Sequence, residues 1–111
     1  MKSRLSPKER EAVTEFKKRL MAMFGPRVRG LTLFGSRSRG EGDEDSDVDI
    51  LILLDQAPAS ARGRIFEIAA DIFLQYEIEI SPLVMSEDHF QNMKKRERLL
   101  PLEIERDGQS L

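Results

Sequence analysis

Cysteine and tryptophan are absent from this chain of 111 residues, which contains one tyrosine and one histidine. The absence of cysteine excludes disulfide bonds, thiolate zinc sites and cysteine nucleophiles. No apolar run approaches the length of a membrane-spanning helix, and the first residues lack the apolar stretch of a secretory signal. The sequence therefore predicts a cytoplasmic protein with no membrane partner.

The chain also lacks a marked excess of charge of either sign. Eighteen lysines and arginines stand against 20 aspartates and glutamates, which gives a formal net charge of −2. Such a balance provides no global attraction to nucleic acid, so we expect no direct nucleic-acid binding. Apolar residues make up 40% of the chain and charged residues 34%. This composition and length predict a single globular domain over residues 1–111.

The hydrophobic pattern predicts alternating helices and strands. Ser6, Pro7 and Glu9 have the spacing of a helix start, and the helical pattern that follows ends at Gly25. Further on, the apolar spacing changes between the periods of strands and helices. The predicted strands are 28–34, 47–54 and 76–85, and the later helices are 60–75 and 86–100. The apolar run after Asp49 favours a central strand over 47–54, Pro82 favours an edge position or a strand end, and Pro101 ends the last helix. This order predicts an α/β (α+β) domain built on a small mixed β-sheet flanked by helices.

The most informative segment covers residues 35–49 and reads GSRSRGEGDEDSDVD. Gly35 directly follows the first predicted strand, and the absence of a side chain allows phosphate groups to approach the backbone N–H groups closely. The Ser36 hydroxyl and the guanidinium groups of Arg37 and Arg39 add donors for phosphate oxygens. These four residues are therefore candidates for binding a nucleotide.

Two aspartates alternate at the start of the second predicted strand. Asp47 and Asp49 project to the same face because side chains alternate along a strand. Two neighbouring carboxylates repel each other unless a cation lies between them, and Mg²⁺ prefers such oxygen ligands. With a third carboxylate, two metal ions could lie about 3.5–4 Å apart. The pattern predicts a magnesium–nucleotide site, with an ordinary acidic turn as the alternative.

A Gly-Ser pair, ten intervening residues and Asp47-Val48-Asp49 together resemble the signature of the nucleotidyltransferase superfamily typified by DNA polymerase beta. The short chain and the residues of the motif resemble those of its minimal branch, the MNT-domain antitoxins. The resemblance implies the nucleotidyltransferase fold, with ATP as the substrate. It also implies that Ser36 binds the β and γ phosphates and that Asp47 and Asp49 bind Mg²⁺, with a third carboxylate supplied by a later strand.

The third carboxylate is open between three positions. Glu79 is preferred because Ile78 and Ile80 flank it in an apolar–acid–apolar pattern. Glu77 is predicted to share the face of Glu79 on the 76–85 strand and is the second candidate. Counting back from the end of that strand puts Ser81 in the position instead, in which case metal binding could persist while transfer fails.

By resemblance, the chain transfers AMP from ATP to a tyrosine hydroxyl of a partner HEPN-domain toxin, as the antitoxin of a type VII-like toxin–antitoxin pair. Glu79 would take the proton of that hydroxyl. One alternative is an antitoxin that has lost transfer and inhibits its partner by binding alone. Another is transfer to a small molecule, for which a partner subunit would have to complete the pocket.

Two groups of apolar side chains carry further predictions. Four phenylalanines are spaced for burial and are expected in the core, namely Phe16, Phe24, Phe66 and Phe73. Four residues near the C-terminus form apolar surface that a toxin or a second copy of the chain could cover, namely Leu99, Leu100, Leu102 and Ile104. A homo-oligomer or a hetero-oligomer with the toxin is therefore compatible with the sequence.

Overall fold

A computed structural model describes residues 5–35, 47–96 and 99–111 of the chain. In those ranges no helix combines the length and the apolarity needed to cross a membrane. The elements follow in the order α1 (Pro7–Phe24), a 3-10 turn (Gly25–Arg27), β1 (Val28–Phe34), β2 (Val48–Leu54), α2 (Ala59–Tyr76), β3 (Ile80–Ser86), α3 (Glu87–Lys95), α4 (Leu99–Asp107) and β4 (Gln109–Ser110).

The four strands form one mixed sheet in the order β3-β2-β1-β4. Strand β2 runs antiparallel to β1 and parallel to β3, and β4 adds to the other side of β1 in antiparallel orientation. This arrangement confirms the predicted mixed sheet flanked by helices. It also confirms the central position expected for β2 from its unbroken apolar sequence, which is typical of strands covered on both faces.

Helices cover both faces of the sheet. Helices α1 and α2 pack on one face, against alternate residues of the strands that include Leu33, Ile50 and Ile52. On the opposite face, Phe90 of α3 and Ile104 of α4 pack against Leu51 and Met85. Because β2 contributes buried side chains to both layers, its apolar part is fixed in the middle of the domain.

Helix α1 begins as the sequence predicts. The Glu9 N–H donates to the Ser6 Oγ at 3.2 Å, and the Ser6 N–H donates to Glu9 Oε1 at 2.8 Å. These two hydrogen bonds form a capping box that satisfies donors left free at the helix start.

An ion pair fastens the end of the sheet remote from the Gly-Ser motif. The Asp55 N–H donates to the Arg27 carbonyl at 3.0 Å, and the Arg27 Nε donates to Asp55 Oδ1 at 3.1 Å. The Gln56 N–H also donates to Asp55 Oδ1, at 2.7 Å. These hydrogen bonds favour the ionised carboxylate and hold the pKa of Asp55 below its usual range, the Gln56 bond being the larger cause.

The predicted strand over 76–85 begins later in the structure. Tyr76 ends α2, and Glu77 follows in the left-handed conformation with φ 59°. Tyr76 lies one helical turn after the buried Ile72 and is itself half-buried against the same core layer, so packing extends the helix to this residue. The strand starts at Ile80 and occupies the edge of the sheet that Pro82 indicates.

The predicted helix over 86–100 is also wrong in its extent. Helix α3 ends at Lys95, and Pro101 lies in the first turn of a separate helix, α4, instead of ending a helix. Proline is tolerated there because backbone N–H groups in a first turn have no partner within the helix. The short strand β4 was not predicted, because its two residues carry no pattern apart from their partner strand.

Burial differs from the prediction at several apolar residues. Phe16 and Phe24 lie in the core as expected, but Phe66 and Phe73 are 54% and 49% exposed. The two lie seven residues apart on a side of α2 that the core-facing stripe does not include. In α4, Ile104 is buried, whereas Leu100 and Leu102 are 38% and 43% exposed.

Gly108 fixes α4 against β1 by a close backbone approach. Its N–H donates to the Ile104 carbonyl at 2.7 Å, which closes the helix immediately before β4 pairs with β1. A Cβ at this position would collide with the Ile104 carbonyl oxygen and would lie 2.6 Å from Thr32 Cγ2. Glycine is therefore required where α4 meets the sheet.

We expect Gly108→Ala to lower the free energy of unfolding by about 1–3 kcal/mol, because the added methyl group overpacks this contact. Gly63→Ala is the matched control, since the glycine lies within α2 and its Cβ position is open. This control should raise the free energy of unfolding by about 0.5–1 kcal/mol. Urea denaturation of both variants measures the difference, and equal effects would contradict the assigned role of Gly108.

Candidate functional site

The candidate site lies where β1 ends and β2 and β3 begin. Asp49 is the second residue of β2, and its Cα pairs with Phe34 in β1 and with Ser81 in β3. Paired residues of neighbouring strands share a face, so the three side chains form a row across the sheet. Asp47 immediately precedes β2 and lies in the same alternation as Asp49. The sheet thus holds both aspartates on the face that α3 and α4 partly cover.

Gly35 makes room for one of the two carboxylates. It follows β1 with φ 77°, a conformation that residues with a side chain rarely adopt. A Cβ here would collide with Asp49 Oδ2 and would lie 3.2 Å from Asp49 Cγ. The Asp49 carboxylate therefore occupies the space that the missing side chain leaves open.

The two aspartates repel each other in this arrangement. Partial burial and the neighbouring Asp47 carboxylate together raise the pKa of Asp49 above its usual value, with burial as the larger cause. A divalent cation between the two carboxylates would remove this repulsion. The electrostatics thus agree with the cation site predicted from the sequence.

Glu79 joins the site from the residue before β3. Its carbonyl accepts the Val48 N–H at 3.0 Å, which places it beside the start of β2. A hydrogen bond with the Asp47 side chain raises the pKa of Glu79 above its usual value, and the charge of Asp47 adds to this effect. Two adjacent carboxylates repel each other when both are ionised, so a cation would stabilise this pair as well.

The other two candidates for the third carboxylate position are placed differently. Glu77 does not share a strand face with Glu79 as predicted, because it caps the end of α2 and β3 starts only at Ile80. Its carboxylate is highly exposed and lies 3.9 Å from the Lys8 ammonium. Ser81 lies directly across from Asp49, so the position opposite the second aspartate carries a hydroxyl group and no carboxylate.

Three of the predicted phosphate-binding residues, Ser36, Arg37 and Arg39, lie outside the described residues, and their role stays a prediction. Gly35 is described and lies beside Asp49.

The donor set fits a magnesium ion bound in part by the substrate. Within the three described ranges, no group of three acidic, histidine or cysteine side chains converges to hold a metal on its own. Mg²⁺ is commonly bound through one or two carboxylates together with phosphate oxygens and water. Asp47 and Asp49 therefore provide the number and type of protein ligands that Mg²⁺ requires. Glu79 is bonded to Asp47 and is available as a further oxygen donor or as a base.

A cleft of about 180 Å³ opens beside Gly35. Phe34 and Gly35 line it on the side of the sheet, and Leu100, Glu103 and Ile104 line it on the side of α4. Sequence reasoning did not select Glu103, because nothing in the sequence indicates that α4 folds back to the end of β1.

We expect Gly35→Ala to lower the free energy of unfolding by about 1–3 kcal/mol, the cost of a strained backbone conformation. Its affinity for Mg²⁺ should fall as well, because the methyl group displaces the Asp49 carboxylate. Gly25→Ala is the control: Gly25 also has a positive φ, 54°, but open space around its Cβ position. It should lose stability and keep its Mg²⁺ affinity in isothermal titration calorimetry. Equal Mg²⁺ affinities for the two variants would contradict the role of Gly35.

Asp47→Asn should raise the melting temperature in EDTA at pH 7, because Asp49 then ionises without a neighbouring negative charge. We also expect Mg²⁺ to raise the melting temperature of the wild type and to leave that of the variant unchanged. The pKa of Asp49 is raised in the folded protein. Ionisation of Asp49 therefore lowers the free energy of unfolding as the pH rises through this raised pKa, and not in acid. The higher melting temperature of Asp47→Asn relative to the wild type should therefore disappear in acid.

The matched control is Asp55→Asn, which changes a carboxylate whose folded pKa is lowered. That carboxylate stabilises the fold above its unfolded pKa, and the contribution is lost as the pH falls through the folded value. The control should therefore lower the melting temperature at pH 7 and respond to Mg²⁺ like the wild type. A lower melting temperature for Asp47→Asn in EDTA would contradict the proposed repulsion.

Comparison with known proteins agrees with this geometry. No curated protein sequence matches the chain closely enough to serve as a relative. Among solved structures, a toxin–antitoxin crystallised with AMP-PNP is similar, with a TM-score of 0.55 and 21% identity over 86% of this chain and 68% of the other. A mutant of the toxin–antitoxin MntA–HpeT has a TM-score of 0.52 and 22% identity, with the same two coverages.

A third similar structure, from Sulfolobus solfataricus, was described as that of a nucleotidyltransferase candidate. It has a TM-score of 0.57 and 20% identity over 99% of this chain and 86% of the other. These identities are low, so the three structures show a shared fold. The family model of the nucleotidyltransferase domain matches residues 13–106, which include the end of β1, both aspartates and α4. The chain therefore belongs to the nucleotidyltransferase domain family and is a transferase.

Proposed function

We propose that this chain transfers AMP from ATP, with Mg²⁺, to a tyrosine hydroxyl of a partner HEPN-domain toxin and thereby acts as an antitoxin. The observation that carries the proposal is the arrangement of carboxylates where β1 ends and β2 and β3 begin, with Asp49 against Gly35 and Glu79 beside Asp47. The similarity to toxin–antitoxin structures, one of them containing AMP-PNP, supports the choice of nucleotide and of partner.

In this proposal Asp47 and Asp49 would hold Mg²⁺, and the Gly35 turn brings the phosphate chain close to them. When bound, the cation supplies positive charge against the phosphate oxygens and the leaving pyrophosphate. Ser36, Arg37 and Arg39 would donate hydrogen bonds to the phosphates from the segment after Gly35. The exposed edge of the site leaves room for an acceptor supplied by another protein.

The transfer step uses a base, for which we propose Glu79. The acceptor oxygen forms a bond to the α phosphorus, the bond from that phosphorus to the pyrophosphate oxygen breaks, and pyrophosphate leaves. The proton of the acceptor hydroxyl passes to the Glu79 carboxylate. The backbone contact of Glu79 with the start of β2 places its carboxylate beside the proposed metal ligand Asp47, which is the position this role requires.

One observation favours a second candidate function, an antitoxin that inhibits by binding alone. Ser81 occupies the position directly across from Asp49, and among the described residues no three carboxylates converge on one point. If Glu79 does not reach the reacting atoms, the chain keeps nucleotide and metal affinity without transfer. The two candidates differ in whether the partner becomes covalently modified.

The test is the intact mass of the adjacently encoded protein after incubation with this chain, ATP and Mg²⁺. We expect a mass gain of one or more AMP units. Glu79→Gln should slow the gain by about 10²–10⁴-fold, the usual contribution of a general base. Glu77→Gln is the matched control, since Glu77 lies two residues away with its carboxylate highly exposed, and it should modify the partner at the wild-type rate.

The mass measurement separates the candidates. No mass gain together with a stable complex that suppresses the activity of the partner would support inhibition by binding alone. A mass gain that Glu79→Gln leaves unchanged would retain the transferase and remove Glu79 as its base.

A further inference from the structure

We infer that the cleft between β1 and α4 binds the base of the nucleotide and that Glu103 selects a base carrying an amino group, adenine in the case of ATP. This inference rests on the proposed function and specifies its substrate. It assigns to α4, which carries none of the proposed metal or phosphate ligands, one wall of the nucleotide site.

The cleft adjoins the proposed metal ligands. Phe34 and Gly35 line it, and both contact or pair with Asp49: Phe34 through the strand register and Gly35 through the space its missing side chain leaves. A triphosphate bound at Gly35 therefore has the cleft next to it. The volume of about 180 Å³ is below the roughly 300–1,000 Å³ of sites that enclose whole drug-sized ligands, so the cleft suits a ring system.

The lining of the cleft has the chemistry of a base site. Phe34, Leu100 and Ile104 provide apolar surface, which matches the flat faces of a base. Glu103 is the one carboxylate among the described lining residues, and it has no hydrogen bond or ion pair with any other described residue. An ionised carboxylate only accepts hydrogen bonds, so it favours an amino group and disfavours a carbonyl oxygen at the same place.

The wall that carries Glu103 is held in place by packing against the sheet. The neighbouring Ile104 is buried against the sheet, and Gly108 closes the helix onto β1. A site held by such packing is preformed and cannot readily change shape to accept a different base, which favours selectivity between bases.

The experiment compares binding of ATP and inosine triphosphate in the presence of Mg²⁺ and without an acceptor protein, by isothermal titration calorimetry. The two nucleotides differ in the group at position six of the purine, an amino group in ATP and an oxygen in inosine triphosphate. We expect the wild type to bind ATP roughly 5- to 100-fold more tightly, the range expected for one base-reading contact.

Glu103→Gln should bring this ratio close to one, because an amide can donate to the inosine oxygen as well as accept from the adenine amino group. Glu105→Gln is the control on the same helix and should leave the ratio unchanged, since Glu105 faces Lys94. Leu100→Ala, at an exposed residue, should weaken the binding of both nucleotides by a similar factor and preserve the ratio of their affinities.

Three results would overturn the inference. A wild type that binds both nucleotides equally, or a Glu103→Gln variant that keeps the wild-type ratio, would exclude Glu103 as the selecting group and would leave the proposed transferase intact. A wild type that binds neither nucleotide would overturn the proposed function together with the inference. Retained melting temperatures of the variants exclude unfolding as the cause of any change.

Discussion

The site depends on the burial of β2 on both faces. Residues from Ile50 to Leu54 contribute to the core layer under α1 and α2 or to the layer under α3 and α4. Carboxylates cannot be accommodated in such a strand without a large cost of desolvation. Asp47 and Asp49 are therefore confined to the start of the strand, where they lie side by side. The repulsion that results is what a divalent cation can relieve.

Two close backbone approaches then determine what surrounds the carboxylates. Gly35 ends β1 in a left-handed conformation and leaves space for the Asp49 carboxylate. Gly108 ends α4 and lets the helix lie directly on β1. The first contact shapes the proposed phosphate and metal side of the site, and the second shapes the cleft that carries Glu103. One strand, β1, thus links both halves of the proposed nucleotide site.

Membership of the family identifies the chain as a nucleotidyltransferase. The position of the third carboxylate bears on which of the two proposed functions applies, transfer of AMP or inhibition by binding alone. Glu79 reaches Asp47 from the residue before β3, whereas Ser81 lies opposite Asp49. Glu79 therefore lies beside Asp47 and is offset along the sheet from Asp49, which has Ser81 across from it. In the proposed mechanism this offset leaves Glu79 at the exposed edge, where an acceptor from another protein would approach.

The sequence by itself determined the mixed sheet, the central position of β2 and the adjacency of Gly35 to the aspartate pair, because strand periodicity and local motifs encode them. It did not determine the end of α2, the end of α3 at Lys95 or the exposure of Phe66, since helix boundaries and burial depend on contacts with distant elements. The tertiary structure alone separated Glu77 from Glu79 and brought Glu103 to the end of β1. Both results depend on strand register and helix docking, which are contacts between residues far apart in the chain.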